Sequence, residues 1–313
     1  IEQILGRATR AAIRVAQPRT AAAQGLAALG AATDPRNPGP ALLVVPIHHA
    51  RTVAEPVRLV RGGVPAVCRP SPAEVEEACA LLAAAERPLL VLGAGCRPHA
   101  VAVRRLVDAL AVPFVTTPQA KGVVSELHPR SLRHGGLAAS MWSRRYTQGG
   151  VDVAVVLGTD LDDCSVGPTP YVSPLGKLVH VDLDATVFNR NLRTELAVVA
   201  DVGAFADAMY EHVLEHGIRN PRTAALLRAV KSESAFDEPG FATDERPLIS
   251  PHRAVADLEA AAGPEAAFVT DIGEHMLFAL HYLTATGPDD FHIQLRLGRM
   301  GSGIAGAVGL ALG

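Results

Sequence analysis

Three short apolar runs, Pro88–Leu92, Asp152–Leu157 and Lys177–Val181, each lead straight into a glycine or an aspartate. Runs of five or six residues that are apolar without strict alternation suit strands buried on both faces, and such strands belong to parallel sheets covered by helices on either side. The intervening sequence supplies those helices. Ser71-Pro72 opens a helix that runs to about Ala85, helical spacing returns over Val101–Leu110, Pro113–Thr117 is a further strand, and Val202–His216 closes the series with a helix. The span 71–216 is therefore expected to be a doubly wound α/β domain with a parallel sheet.

The flanking sequence is organised differently. Residues 3–32 are rich in alanine and arginine at helical spacing, 33–40 is a proline- and asparagine-bearing turn, and Ala41–Pro46 is a buried-strand run. A helix and one strand do not make a domain, so residues 1–60 are expected to be the end of another unit, with 51–72 as a linker. Residues 217–249 carry the breakers Glu238-Pro239-Gly240 and Arg246-Pro247 and are expected to form a second linker. A third unit, 250–313, opens with a Ser250-Pro251 helix start, continues through a strand at Ala267–Asp271 and a helix at Gly273–Thr284, and finishes in a Gly/Ala-rich helix.

Charge narrows the partners. The formal net charge of -3 creates no field that gathers phosphate backbones or anionic lipid, so neither nucleic acid nor membrane is expected, and the cytoplasm is the expected location. The longest apolar stretches are strand-sized, well short of the ~20 residues of a membrane helix. Cys68, Cys79, Cys96 and Cys164 show neither CxxC pairing nor zinc-like spacing and read as reduced thiols; only Cys96, after Gly93-Ala94-Gly95, has a position that suits a reactive thiolate.

Candidate binding residues collect where the sheet's carboxyl edge is expected. Gly93 and Gly95 follow the first run and Gly158 the second, where backbone amides can approach an anion or a nucleotide. The GxGxxG spacing is not completed, because Pro98 stands at the third glycine, and a tight turn explains the pair equally well. Asp182 and its neighbours in Val181-Asp182-Leu183-Asp184, like the acids of Gly158–Asp163, can hold ribose hydroxyls, bind a metal or cap the next helix.

The order of segments carries a family resemblance. Lys121-Gly122, then His128-Pro129, then Gly158-Thr159-Asp160-Leu161-Asp162-Asp163, then Val181-Asp182-Leu183-Asp184 resembles the central domain of thiamine-diphosphate enzymes of the acetolactate synthase and pyruvate oxidase type. Downstream, Asp271-Ile272-Gly273-Glu274-His275 is similar to the family's DVGQH motif, and Gly298-Arg299-Met300-Gly301-Ser302-Gly303-Ile304 to its GxMGxGLP motif. The resemblance implies a DHS-like NAD/FAD-binding type of central domain between two partial cofactor-binding α/β domains.

It also implies that thiamine diphosphate is held at Ile272, Gly273, Glu274 and His275 through a helix N-terminus, with the Gly298 carbonyl and the Met300 thioether against the pyrimidine end. The other reading of Met300 is ordinary core filling. On the same resemblance the catalytic glutamate lies before Ile1 and the Mg2+ ligands beyond Gly313, and the active enzyme is a homodimer or homotetramer. The reaction implied is decarboxylation of a pyruvate-like 2-oxo acid with transfer of the two-carbon unit. The alternatives are a related lyase or decarboxylase, of the 2-hydroxyacyl-CoA lyase or sulfoacetaldehyde acetyltransferase type, and a non-catalytic nucleotide-binding module. Three residues depart from the family pattern. Glu274 replaces a glutamine beside the diphosphate. Asp160 stands where acetolactate synthases often carry an arginine near FAD, which disfavours a bound flavin. Ala305 replaces the terminal proline of the second motif.

Overall fold

The computed structural model describes residues 2–34, 39–53, 67–218, 220, 222–295, 298 and 300–312. The chain divides into two compact units, one of Ile1–Val67 with Leu183–Ala185, the other of Cys68–Asp182 with Thr186–Gly313.

The smaller unit contains the first correction. The stretch read as one helix over 3–32 instead forms strand β1 at Ala11–Arg14 and helix α1 only at Ala21–Ala32. Strand β1 pairs in parallel with β2, Ala41–Val44, Ile13 facing Leu43 across the ladder. The break comes at Pro18, which starts a 3-10 turn and leaves Gln17 in an extended conformation. Most of the 51–72 linker, residues 54–66, lies outside the described residues.

The larger unit is built on a six-stranded, all-parallel sheet. Helix α2 (Pro72–Ala84) precedes β3 (Pro88–Leu92), and α3 (Ala100–Leu110) leads to β4 (Phe114–Thr116). Strand β5 (Ser131–His134), helix α4 (Met141–Gln148), β6 (Val153–Leu157), β7 (Lys177–Asp182), β8 (Leu196–Val199) and α5 (Val202–His216) follow. The spatial order is β5-β4-β3-β6-β7-β8, so the chain reverses direction between β3 and β6. This is the doubly wound arrangement, and its switch point lies between the ends of those two central strands.

Alternate residues of each central strand feed opposite cores. Leu90, Leu92, Val155, Leu157, Val179 and Val181 pack with α2, α3 and α5 on one face. On the other face Leu89, Val91, Ala154, Val156 and Leu178 pack with Tyr146 of α4. Helix α2 starts as its sequence suggests, in a capping box in which the Ser71 hydroxyl accepts from the Glu74 amide while the Glu74 carboxylate accepts from the Ser71 amide.

The second linker is a correction. Within 217–249, helix α6 (Thr223–Lys231) forms and buries Leu227 and Val230 in the second face of the sheet. Its run Ala224-Ala225-Leu226-Leu227 with Ala229 and Val230 has helical spacing that the neighbouring breakers obscured, and the sheet face supplies the apolar partner that holds so short a helix. The remaining elements are α7 (Pro251–Ala262), β9 (Phe268–Thr270), α8 (Glu274–Tyr282), β10 (Phe291–Ile293) and α9 (Ser302–Leu312), with β9 and β10 paired in parallel. Among the described residues no helix is long and apolar enough to cross a membrane.

Candidate functional site

Strand β9 delivers Asp271 to a turn, and that carboxylate joins two motifs thirty residues apart in sequence. Asp271 accepts from the Ile272 amide at 2.8 Å, from the Gly301 amide and from the Ser302 hydroxyl at 3.4 Å. These bonds, led by that of Ile272, hold its carboxyl below the usual aspartate range. A side chain at residue 303 would bring its Cβ to 3.0 Å from the backbone of Asp271, so glycine at 303 permits the close approach of the two turns.

Gly273 has φ of +155°, and a Cβ there would lie 2.8 Å from the His275 imidazole. Helix α8 begins immediately after it with no side chain capping its amides, which makes its N-terminus an open anion-binding end. Glu274 and His275 are exposed and Ile272 is half-buried. Gly298 is exposed with φ of +57°, and Met300 is 84% exposed. The backbone of this region fits a diphosphate. Among the described residues no group of three or more His, Cys, Asp or Glu is placed to hold a metal ion.

The other sequence candidates sit at the switch point and serve the backbone. Gly93 donates its amide to the Leu157 carbonyl at 2.8 Å, Gly95 to Gly158 at 2.9 Å, and Gly158 to Val181 at 2.9 Å. A Cβ on Gly93 would fall 2.2 Å from the Gly158 oxygen. Asp182 is half-buried at the end of β7, and its carbonyl accepts from Ala200. Among the neighbouring acids, Asp162 caps the turn at Ser165 and Asp160 lies 3.7 Å from Arg190. Cys96 is fully buried, and burial pushes its thiol up to about 12, so it is not a reactive thiolate.

Sequence reasoning missed a buried charge cluster. Lys121 and His128 were informative as family markers, but the cluster centres on Glu126. The Lys121 ammonium donates to both Glu126 carboxylate oxygens at 2.7 Å, Arg133 lies 3.2 Å from the same group, and all three residues are buried. The carboxylate also accepts from the Ala285 amide at 3.0 Å, and the Glu126 amide donates back to the Ala285 carbonyl at 3.0 Å. Close by, Arg97 donates to the carbonyls of Gln119 at 2.7 Å, Phe291 at 2.8 Å and Pro288. These contacts fasten the segment between α8 and β10 to the carboxyl edge of the sheet.

Two cations share one carboxylate. Burial opposes the charge on Glu126, but Arg133 and Lys121 more than offset it and hold the carboxyl below its usual range. Burial pushes Lys121 down to about 8, with the Arg133 charge acting in the same direction and Glu126 against it. His134, with no exposed surface, is pushed by burial down to about 4 and donates Nε2–H to the Ala138 carbonyl at 2.7 Å.

A pH dependence follows with a definite sign. Between pH 6.5 and about 4 the unfolded His134 takes up a proton that the folded ring refuses, so stability falls as pH drops through that window. The difference amounts to on the order of 3 kcal/mol at its lower end. Urea midpoints measured from pH 7 to 4 should decline in wild type and decline less in His134→Gln; parallel curves would remove His134 as a cause.

Comparison with known proteins places this architecture. Residues 75–209 match the family model described as thiamine pyrophosphate enzyme, central domain. Over these residues the chain is similar to the central domain of thiamine pyrophosphate enzymes. It is 28% identical over 284 residues to a probable acetolactate synthase 2, chloroplastic, of Oryza sativa subsp. japonica, covering 88% of this chain and 42% of that protein. It is 28% identical to an acetolactate synthase of Mycobacterium bovis, covering 87% of this chain and 45% of that protein. Against the acetolactate synthase isozyme 1 large subunit of Escherichia coli K12 the identity is 27%, covering 88% and 48%. The chain thus spans less than half the length of these relatives.

Proposed function

We propose that the complete protein is a thiamine-diphosphate- and Mg2+-dependent enzyme that decarboxylates a pyruvate-like 2-oxo acid and passes the two-carbon unit to an acceptor. Its place is the reaction named for the acetolactate synthases, a step of branched-chain amino acid biosynthesis, carried out by a cytoplasmic homodimer or homotetramer. The carrying observation is Asp271, whose carboxylate ties the Gly273–His275 turn to the Gly301-Ser302 turn. When bound, thiamine diphosphate supplies the electron sink for decarboxylation.

This chain's residues bind and orient. The amides at the start of α8 would hold the diphosphate, and Gly273, with no Cβ, would let it approach the backbone closely. The Gly298 carbonyl would accept from the pyrimidine amine, and the exposed Met300 thioether would pack against the cofactor. Glu274 serves through its amide, its exposed carboxylate turned to solvent.

Titration calorimetry of thiamine diphosphate with Mg2+ into the complete protein, with pyruvate turnover followed in parallel, tests this reading. Saturable binding with release of carbon dioxide is the expected result. Absence of binding overturns it.

A further inference from the structure

Arg133 breaks two rules at once. Its φ is +61°, a left-handed conformation that side-chain-bearing residues rarely adopt, and it is buried within strand β5. It also brings a second cation to a carboxylate that Lys121 already neutralises. The left-handed conformation takes up a register shift between β4 and β5, where Phe114 faces Ser131 but Thr116 faces His134, and the bulge leaves the Arg133 side chain on the segment after α8.

The side chain reaches the far end of α8. The Arg133 guanidinium donates to the Leu283 carbonyl at 2.7 Å and to the Thr284 hydroxyl at 3.4 Å, and lies 4.7 Å from the Phe236 ring centre. Leu283 directly follows Tyr282, the last residue of α8, whose first turn is the open anion-binding end at Gly273. A nine-residue helix is a rod of roughly 13 Å, so fixing one end sets the position of the other. From there Asp271 carries the constraint to Gly301.

We propose that Arg133 is a positioning residue for the cofactor site, a clamp in the central domain that sets where the first turn of α8, and through Asp271 the Gly301 turn, present their amides. This rests on the thiamine diphosphate reading for its purpose, though not for its geometry. Lysine cannot substitute for arginine here, because the fork spans a carbonyl, a hydroxyl and a carboxylate together.

The test uses Arg133→Gly in the complete protein. Glycine suits the φ of 61°, and loss of one cation leaves the Lys121–Glu126 pair matched, so the sheet should survive. Hydrogen exchange should accelerate by about tenfold or more at Ile272, Ala285 and Gly301, with β3, β6 and β7 unchanged. The dissociation constant for thiamine diphosphate with Mg2+ should rise by about tenfold, with turnover at saturating cofactor much less affected. Unchanged exchange at Ile272 and Gly301 overturns the proposal. Should Arg133→Gly loosen the whole sheet, Arg133→Lys, which keeps the charge and loses the fork, gives the same local reading. Failure of wild type to bind the cofactor overturns the cofactor reading instead, while the exchange result still decides the clamp.

Discussion

Glu126→Gln should lower the thermal unfolding midpoint by on the order of 10 °C, the largest single effect expected in this chain. The carboxylate is the counter-ion for Lys121 and Arg133, all of them buried. Removing one partner of a buried ion pair strands the others and costs about 3–5 kcal/mol. The amide retains an acceptor for the Ala285 N–H, so the loss is one of charge more than of hydrogen bonding. The penalty should be larger at pH 6 than at pH 9, because Lys121, already pushed down to about 8, can shed its proton in alkaline solution while Arg133 cannot. Calorimetric scans of both proteins at the two pH values check this. An unchanged midpoint would show that the carboxylate does not anchor the cluster.

Gly93→Ala should destabilise the protein by about 3 kcal/mol or more, an overpacking effect at the upper end of its usual range. The φ of Gly93 is -94°, which alanine tolerates, so the cost is steric. The new methyl would meet the Gly158 oxygen at 2.2 Å and the Thr159 Cβ at 2.5 Å, and the first of these belongs to a strand end that cannot move without breaking the β6–β7 ladder. A purely ligand-binding glycine would behave differently, losing affinity and keeping stability. Urea denaturation of Gly93→Ala separates the two: a normal midpoint would return Gly93 to a ligand-binding role and remove it from the packing of the switch point.

Both substitutions probe the same edge of the sheet. Gly93, Gly95 and Gly158 let β3 and β6 close together at the reversal, and the Lys121–Glu126–Arg133 cluster then fastens the segment after α8 to β4 and β5. The central domain thereby becomes a platform for the motifs that follow it. Its glycine-rich edge is occupied by its own carbonyls, and the open amides lie at the start of α8.

Much of this fold was legible in the sequence. Strands β3, β6 and β7 are unbroken apolar runs because both their faces are covered, and the starts of α2 and α7 are local capping events written in Ser71-Pro72 and Ser250-Pro251. The segments at 271–275 and 298–304 were singled out by family resemblance rather than by any local periodicity.

What stayed hidden depends on partners distant in the chain. Strand β5, Ser-Leu-Arg-His, is buried at every position, and its Arg133 and His134 side chains find partners far from their own strand, at Glu126, Ala138 and the 283–284 segment. The sequence Ala-Ala-Ile-Arg of β1 has no strand character until β2 lies beside it, and α6 is held by a sheet face that its own sequence does not announce. By itself, then, the sequence determined the central strands, the helix starts and the turn chemistry, all set by short-range sterics and burial periodicity. Tertiary structure alone decided which glycines serve packing, which acid joins the two motifs and where the buried charges meet, because those outcomes depend on distances between segments that only the folded backbone sets.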